Sequence, residues 1–166
     1  MQFLLAEEED KEEIMSLYRK AVGSEGCTWS QDYPNEKILE EDFLRKDLFV
    51  LKTNQKEIVG AISIDDDILI EELPCWSQEQ KPGAELARLV VKETYQNQGL
   101  ARKMLQEAMK VLRERKYRSV HFLVSKTNER AIRSYAKLAF ENKGEADLYE
   151  EHWWCYEKVL HEGGEK

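Results

Sequence analysis

The chain has 166 residues, with 33 acidic against 25 basic side chains and a formal net charge of −8 at pH 7. That length carries one domain with a sizeable core and leaves little room for a second. The acidic balance excludes non-specific binding to DNA or RNA, which rests on neutralising phosphates with Lys and Arg.

Gln2 to Ala6 reads as a short apolar strand, and the start MQFLLAEEEDKEE lacks the basic region of a signal peptide. Ile14, Leu17, Tyr18 and Ala21 recur at helical spacing, so a first helix runs to about Gly23. The stretch SEGCTWSQDYP is aromatic and polar without a period and reads as a loop. Pro34 suits the first turn of a second helix that ends near Arg45. Strands are expected at Leu48 to Thr53 and Glu57 to Ile64, joined by the polar Asn54-Gln55-Lys56. Asp65-Asp66-Asp67 make a turn, after which Ile68 to Ile70 extend the sheet briefly. Residues 73 to 84, with Pro74, Pro82 and Gly83, form a loop, and Glu85 to Val91 is a strand.

From Leu100 the stripe Met104, Ala108, Val111 and Leu112 marks a long helix. Val120 to Val124 is nearly all apolar, as a strand buried on both faces should be. Asn128 to Leu138 is a helix whose apolar face holds Ala131, Ile132, Tyr135 and Leu138. Phe140 to Leu148 and His152 to Leu160 close the chain as strands, with Trp153 and Trp154 on opposite faces, one in the core and one at a pocket or the surface. This order predicts an α/β domain, a mixed sheet with helices packed on it, over residues 1–161 with a polar tail at 162–166. No segment reaches membrane-spanning length. Cys27, Cys75 and Cys155 are far apart without CxxC spacing, which argues for neither a disulfide framework nor a metal site and suits a cytoplasmic location.

Between the strand ending at Val91 and the helix opening at Leu100 lies YQNQGLARKML, residues 95 to 105. The first N–H groups of a helix have no internal partners, and the helix dipole adds partial positive charge there. A glycine before them lets the backbone approach a phosphate closely. Arg102 and Lys103 oppose the dipole in the first turn, which a bound polyanion would explain. Equally, Gly99 permits an ordinary turn and the two cations are solvated. The loop is not a dinucleotide GxGxxG, nor a P-loop with Gly-Lys-Ser/Thr.

Residues 85 to 140 closely resemble the GNAT N-acetyltransferase family. Gln96, Gly99 and Ala101 fill that family's phosphate loop Q/R-x-x-G-x-G/A, and Asn128, Ala131 and Tyr135 match the spacing of its later helix. The closing WWCYEKVL is similar to the family's last strand, whereas residues 1 to 84 match only in their order of elements. The resemblance implies a mixed, mainly antiparallel sheet of about seven strands flanked by four helices, with splayed strands that receive acetyl-CoA. By position, Leu89, Val90 and Val91 would offer backbone groups to the pantetheine arm and thioester carbonyl. Gln96, Asn97, Gln98, Gly99, Leu100, Ala101 and Arg102 would hold the pyrophosphate, and Asn128 would contact the pantetheine end. Two positions depart from the pattern. Glu93 stands where proline is frequent, and Ala139 where glycine is usual. If the latter position needs φ > 0, alanine there costs about 1 kcal/mol or more.

Acetyl transfer to an amine asks three things of the protein. An alkylammonium with a pKa near ~10.4 is only about one part in a thousand free base at neutral pH, so a base must take its proton. The carbonyl oxygen needs a donor as it becomes the oxyanion of a tetrahedral intermediate, and a strand N–H from Leu89 to Val91 is the candidate. The sulfur must leave, and the resemblance gives Tyr135 that role, although its spacing equally suits a core tyrosine. Glu85 is named as the base, with Glu71 and Glu72 as alternatives, and each of the three could equally be a solvated surface carboxylate. His121, inside an apolar strand, reads as a core histidine before it reads as a base. Trp29 and Tyr33 lie where the family builds a wall of the acceptor pocket, and Asp65 to Asp67 could attract an ammonium group or simply make the turn.

The resulting expectation is an N-acetyltransferase using acetyl-CoA and no metal, acting on a small-molecule, peptide or protein amine, with no nucleic-acid or membrane partner. The homodimer common among proteins resembling it is left open. The competing readings are an acyl-CoA sensor of the same fold without turnover, and a loop that binds another nucleotide.

Overall fold

Each stretch with a clear hydrophobic period becomes the element that the period predicts. The computed structural model describes residues 1–160; His161 and the polar tail at 162–166 lie outside the described residues. The elements are β1 Gln2–Leu5, α1 Lys11–Ala21, α2 Glu36–Leu44, β2 Leu48–Lys52, β3 Ile58–Asp65, α3 Ile68–Glu71, β4 Gly83–Val91, α4 Leu100–Glu114, β5 Ser119–Ser125, α5 Glu129–Ala136, β6 Glu141–Leu148 and β7 Glu151–Val159. The strands form a seven-stranded sheet in the order β1-β2-β3-β4-β5-β7-β6. β1 with β2, β2 with β3, β5 with β7 and β6 with β7 are antiparallel, and β4 with β5 is parallel. The parallel ladder joins only Gly83, Ala84 and Glu85 to Ser119, Val120 and His121. The expected mixed, mainly antiparallel sheet is therefore present, flanked by four helices of two turns or more and the one-turn α3.

Two compact units make up the chain, Met1–Asp65 with Ala87–Glu107, and Asp66–Leu86 with the residues from Ala108 onward. In the first, α1 contributes Ile14, Leu17 and Tyr18 to a core with Leu39, Leu48, Val50, Ile58, Ala61 and Val90. Burying a side chain of this size stabilises by roughly 1.5–3 kcal/mol. α4 approaches β3 closely: a Cβ on Gly60 would lie 2.6 Å from Met104 Cε and 3.2 Å from the Val90 carbonyl oxygen, so a larger residue there would make the methionine shift. In the second unit, Ile70, Trp76 and Cys155 pack with Leu73, Cys75, Leu123, Ala146 and Leu148. Phe122 sits among Tyr135, Phe140 and Tyr156.

Three sequence expectations are corrected. Pro34 does not enter α2; Asn35 caps that helix by accepting the Ile38 N–H at 2.9 Å. Ile68–Ile70 is not strand but the start of α3, because Asp67 accepts the Leu69 N–H at 3.0 Å and supplies an N-cap. Three apolar residues are too few to show a period. Cys27, Cys75 and Cys155 are free thiols, and burial pushes Cys155 up to about 12. Trp153 and Trp154 are both half-buried rather than divided between core and surface. Trp153 donates to the Leu148 carbonyl, and Lys126 lies over the Trp154 ring.

Candidate active site

In the first unit the end of β4 carries a backbone distortion. Arg88 adopts φ +54 inside the strand, immediately before Leu89–Val91. A non-glycine residue there costs about 1–2 kcal/mol and needs fixing by its surroundings. Its guanidinium supplies the anchor: Nε and Nη2 each donate to Asp42 at 2.9 Å, and Nη1 donates to Tyr33 Oη at 3.0 Å and Asp65 Oδ2 at 3.1 Å. Asp42 also accepts from Arg45 at 2.9 Å and Ser63 at 2.7 Å, so a carboxylate only 1% exposed is fully bonded. Burial works against the Arg88 charge, but Tyr33, Asp42 and Asp65 outweigh it and hold its pKa above the ordinary value. Arg88 and Asp42 were not singled out in the sequence. The available signals were a lone cation within the apolar run ELARLVV and an acid on the buried face of α2.

After β4, Lys92 N–H donates to the Val59 carbonyl and a short turn at Glu93–Tyr95 leads into the loop. The Gln96 side chain donates to the Val91 carbonyl at 3.0 Å, folding the loop back on its own strand. Asn97 and Gly99 both take left-handed conformations, φ +65 and +78. A Cβ on Gly99 would meet only Arg102 Nη2, at 3.6 Å, so conformation rather than crowding asks for glycine. The Gly99 carbonyl accepts the Lys103 N–H, leaving the amides of Leu100, Ala101 and Arg102 to open α4 without intrahelical acceptors. Such an arrangement can cradle an anion, with a cation beside it.

Trp29 packs edge-on to Tyr18 at 5.4 Å, while Tyr33 is 40% exposed and held by Arg88. The acidic turn is committed to structure: Asp65 pairs with Arg88 and Arg45, and Asp67 caps α3 and accepts from Tyr149.

In the second unit Glu85 is buried, and its partner in the parallel ladder is His121. His121 Nε2 lies 3.2 Å from Glu71 Oε2, and Trp76 stacks on the imidazole at 4.5 Å. Glu72 is exposed at the end of α3. Asn128 caps α5, its Oδ1 accepting the Ala131 N–H at 3.2 Å. Tyr135 lies against Phe122 with ring centroids 4.7 Å apart, and burial pushes its phenol up to about 12. Ala139 takes φ +64, so the alanine does occupy a left-handed position. Among the described residues there is no group of three or more side chains placed to hold a metal ion, and no helix long and apolar enough to cross a membrane.

Residues 12–140 match the model of the acetyltransferase (GNAT) family. The chain belongs to the GNAT family. Solved structures share the fold. The ribosomal-protein-alanine N-acetyltransferase from Brucella melitensis is 19% identical with a TM-score of 0.76, covering 96% of this chain and 100% of its own. A GNAT-family acetyltransferase from Streptococcus agalactiae is 18% identical with a TM-score of 0.79, covering 97% and 96%. An N-acetyltransferase from Staphylococcus aureus is 20% identical with a TM-score of 0.74, covering 96% and 98%. GNAT enzymes generally use acetyl-CoA, and a GNAT loop is what the cradle at Gly99 resembles.

Proposed function

We propose that residues 1–161 act as one domain transferring an acetyl group from acetyl-CoA to a primary amine by direct attack. The observation that carries this reading is the loop: left-handed Asn97 and Gly99, the opening amides of α4 and Arg102 together fit a diphosphate. Acetyl-CoA, when bound, supplies the activated thioester. Gln96 to Arg102 bind its diphosphate. Leu89 to Val91 lie along the pantetheine arm, and an N–H among them donates to the carbonyl oxygen as charge builds there. Asn128 keeps its oxygen in the α5 cap and offers its amide N–H to the pantetheine end.

Glu85 accepts the ammonium proton, and Tyr135 donates its phenolic hydrogen to the departing sulfur. A phenol pushed up to about 12 stays protonated at neutral pH and keeps that hydrogen to give. Tyr33, tethered by Arg88, forms a wall for the acceptor, with Trp29 behind it on Tyr18. The cytoplasm, where Cys75 and Cys155 stay reduced, is the proposed location.

The deciding experiment measures coenzyme A release with acetyl-CoA across small amines, polyamines, aminoglycosides, amino acids and peptide N-termini. Peptides beginning with alanine are included because one similar structure is named for that acceptor. Turnover with at least one class supports the transferase reading. Tight binding with release at background across the panel supports the sensor reading instead.

A further inference from the structure

One carboxylate, at the start of β3, holds both ends of the turn that leads into the Gly99 loop. Lys92 and Tyr95 bracket that turn, with Glu93 and Thr94 exposed between them. Glu57 Oε2 accepts from Lys92 Nζ at 2.5 Å, and Glu57 Oε1 accepts from Tyr95 Oη at 3.2 Å. The carboxylate has a firm mount. The Glu57 N–H donates to Thr53 Oγ1 at 3.2 Å, and the Glu57 carbonyl accepts the Thr53 N–H at 2.9 Å. On the next residue, the Ile58 N–H donates to Glu13 Oε2 on α1 at 3.0 Å.

Backbone contacts complete the turn. The Lys92 N–H donates to the Val59 carbonyl and the Tyr95 N–H to the Lys92 carbonyl, each at 2.8 Å. The Gln96 side chain then reaches back to the Val91 carbonyl at 3.0 Å. Beyond it Asn97, Gln98 and Gly99 are exposed, so the loop takes its direction from the turn on one side and from α4 on the other. A loop already ordered need not be frozen when its ligand arrives, and that entropic cost is then absent from the binding free energy. By charge alone Glu57 is misplaced, because a carboxylate near a bound diphosphate repels it. Its two partners give it a different use.

We propose that Glu57 is a positioning residue for the Gly99 loop, holding the Lys92–Tyr95 turn so that the loop meets the diphosphate already formed. This rests on the reading of that loop as the diphosphate site. Glu57 acts through Lys92 and Tyr95 and touches neither cofactor nor acceptor.

The test is calorimetric titration of wild type, Glu57→Ala, Tyr95→Phe and the double variant with acetyl-CoA and with acetylpantetheine, which lacks the diphosphate. Positioning and bare charge predict opposite signs for Glu57→Ala. Positioning predicts that acetyl-CoA binds about threefold to tenfold more weakly while acetylpantetheine is unaffected. Loss of a repelling charge alone predicts tighter binding of acetyl-CoA. Tyr95→Phe leaves the charge at neutral pH unaltered and should weaken acetyl-CoA in the same direction. The double variant should fall short of the sum of the two losses, because both changes break one clasp. Should Glu57→Ala bind acetyl-CoA as tightly as wild type or more so, Glu57 does not position the loop. Equal weakening for both ligands would also overturn the proposal, since a general structural defect does not single out the diphosphate. If wild type itself fails to distinguish the two ligands, the diphosphate reading fails and the positioning role with it. If Glu57→Ala does not fold, Tyr95→Phe decides alone, and unchanged affinity for acetyl-CoA then overturns the proposal.

Discussion

Arg88 clasps Asp42 through two parallel contacts of 2.9 Å, one residue before the strand segment proposed to face the thioester. The pair is buried, the guanidinium side chain 4% and the carboxylate 1% exposed. Removing one member strands the charge of the other in a dry setting, which typically costs about 3–5 kcal/mol. Asp42→Asn should therefore lower stability by that amount in urea unfolding. Arg88→Lys should fail to rescue it, because an ammonium cannot reproduce the planar fork that also reaches Tyr33 and Asp65. A loss below about 1 kcal/mol for Asp42→Asn would show that the network is not structural.

Ala139 at φ +64 gives a prediction of opposite sign. Relief of the left-handed strain, about 1–2 kcal/mol, exceeds the entropy that glycine adds to the unfolded chain, about 0.5–1 kcal/mol. Ala139→Gly should raise stability by roughly 0.5–1 kcal/mol, read as a rise of a few degrees in Tm. Unchanged or lower Tm would mean that the alanine's methyl makes a contact worth as much as the strain.

Alkaline pH should weaken the fold through its buried phenols. Burial pushes Tyr18 well above the ordinary phenol range, and Tyr135 is pushed up to about 12. In the unfolded chain both lose their protons near pH ~10. The protonated folded state is therefore fully favoured below about pH 10, and the advantage drains away as pH rises beyond it. Melting temperatures between pH 9 and 11 should fall less steeply for Tyr18→Phe than for wild type. Parallel slopes would contradict the assignment of the effect to Tyr18.

The proposed leaving-group role of Tyr135 is a kinetic matter. Tyr135→Phe keeps the ring against Phe122 and removes only the hydroxyl, so folding should change little. A general acid contributes about 10²–10⁴-fold. We expect kcat to fall within that range with little change in the KM for acetyl-CoA. An unaltered maximal rate on a good acceptor would remove Tyr135 from the chemistry.

Strongly periodic segments were legible in the sequence because burial alone decides them. α4 buries Met104, Ala108 and Leu112 as the stripe predicts, and β5 is buried on both faces. The loop at Gly99 was legible because a left-handed residue before a helix leaves a mark in residue type. What stayed hidden depends on partners distant in sequence. Arg88 and Asp42 lie 46 positions apart. Glu71 and His121 meet only because α3 carries one beside the strand that holds the other. Ile68–Ile70 misled because Asp67, read as one of three turn acids, was acting as a cap.

The proposal that the Gly99 loop holds a diphosphate is tested most directly by calorimetric titration of the protein with acetyl-CoA and with acetylpantetheine, which lacks the diphosphate. Charge-assisted hydrogen bonds contribute about 1.5–3 kcal/mol each, so two of them amount to a hundredfold or more. Acetyl-CoA should bind at least a hundredfold more tightly, and Arg102→Ala should narrow the gap. Equal affinities for the two ligands, or a gap that Arg102→Ala leaves untouched, would contradict the diphosphate site.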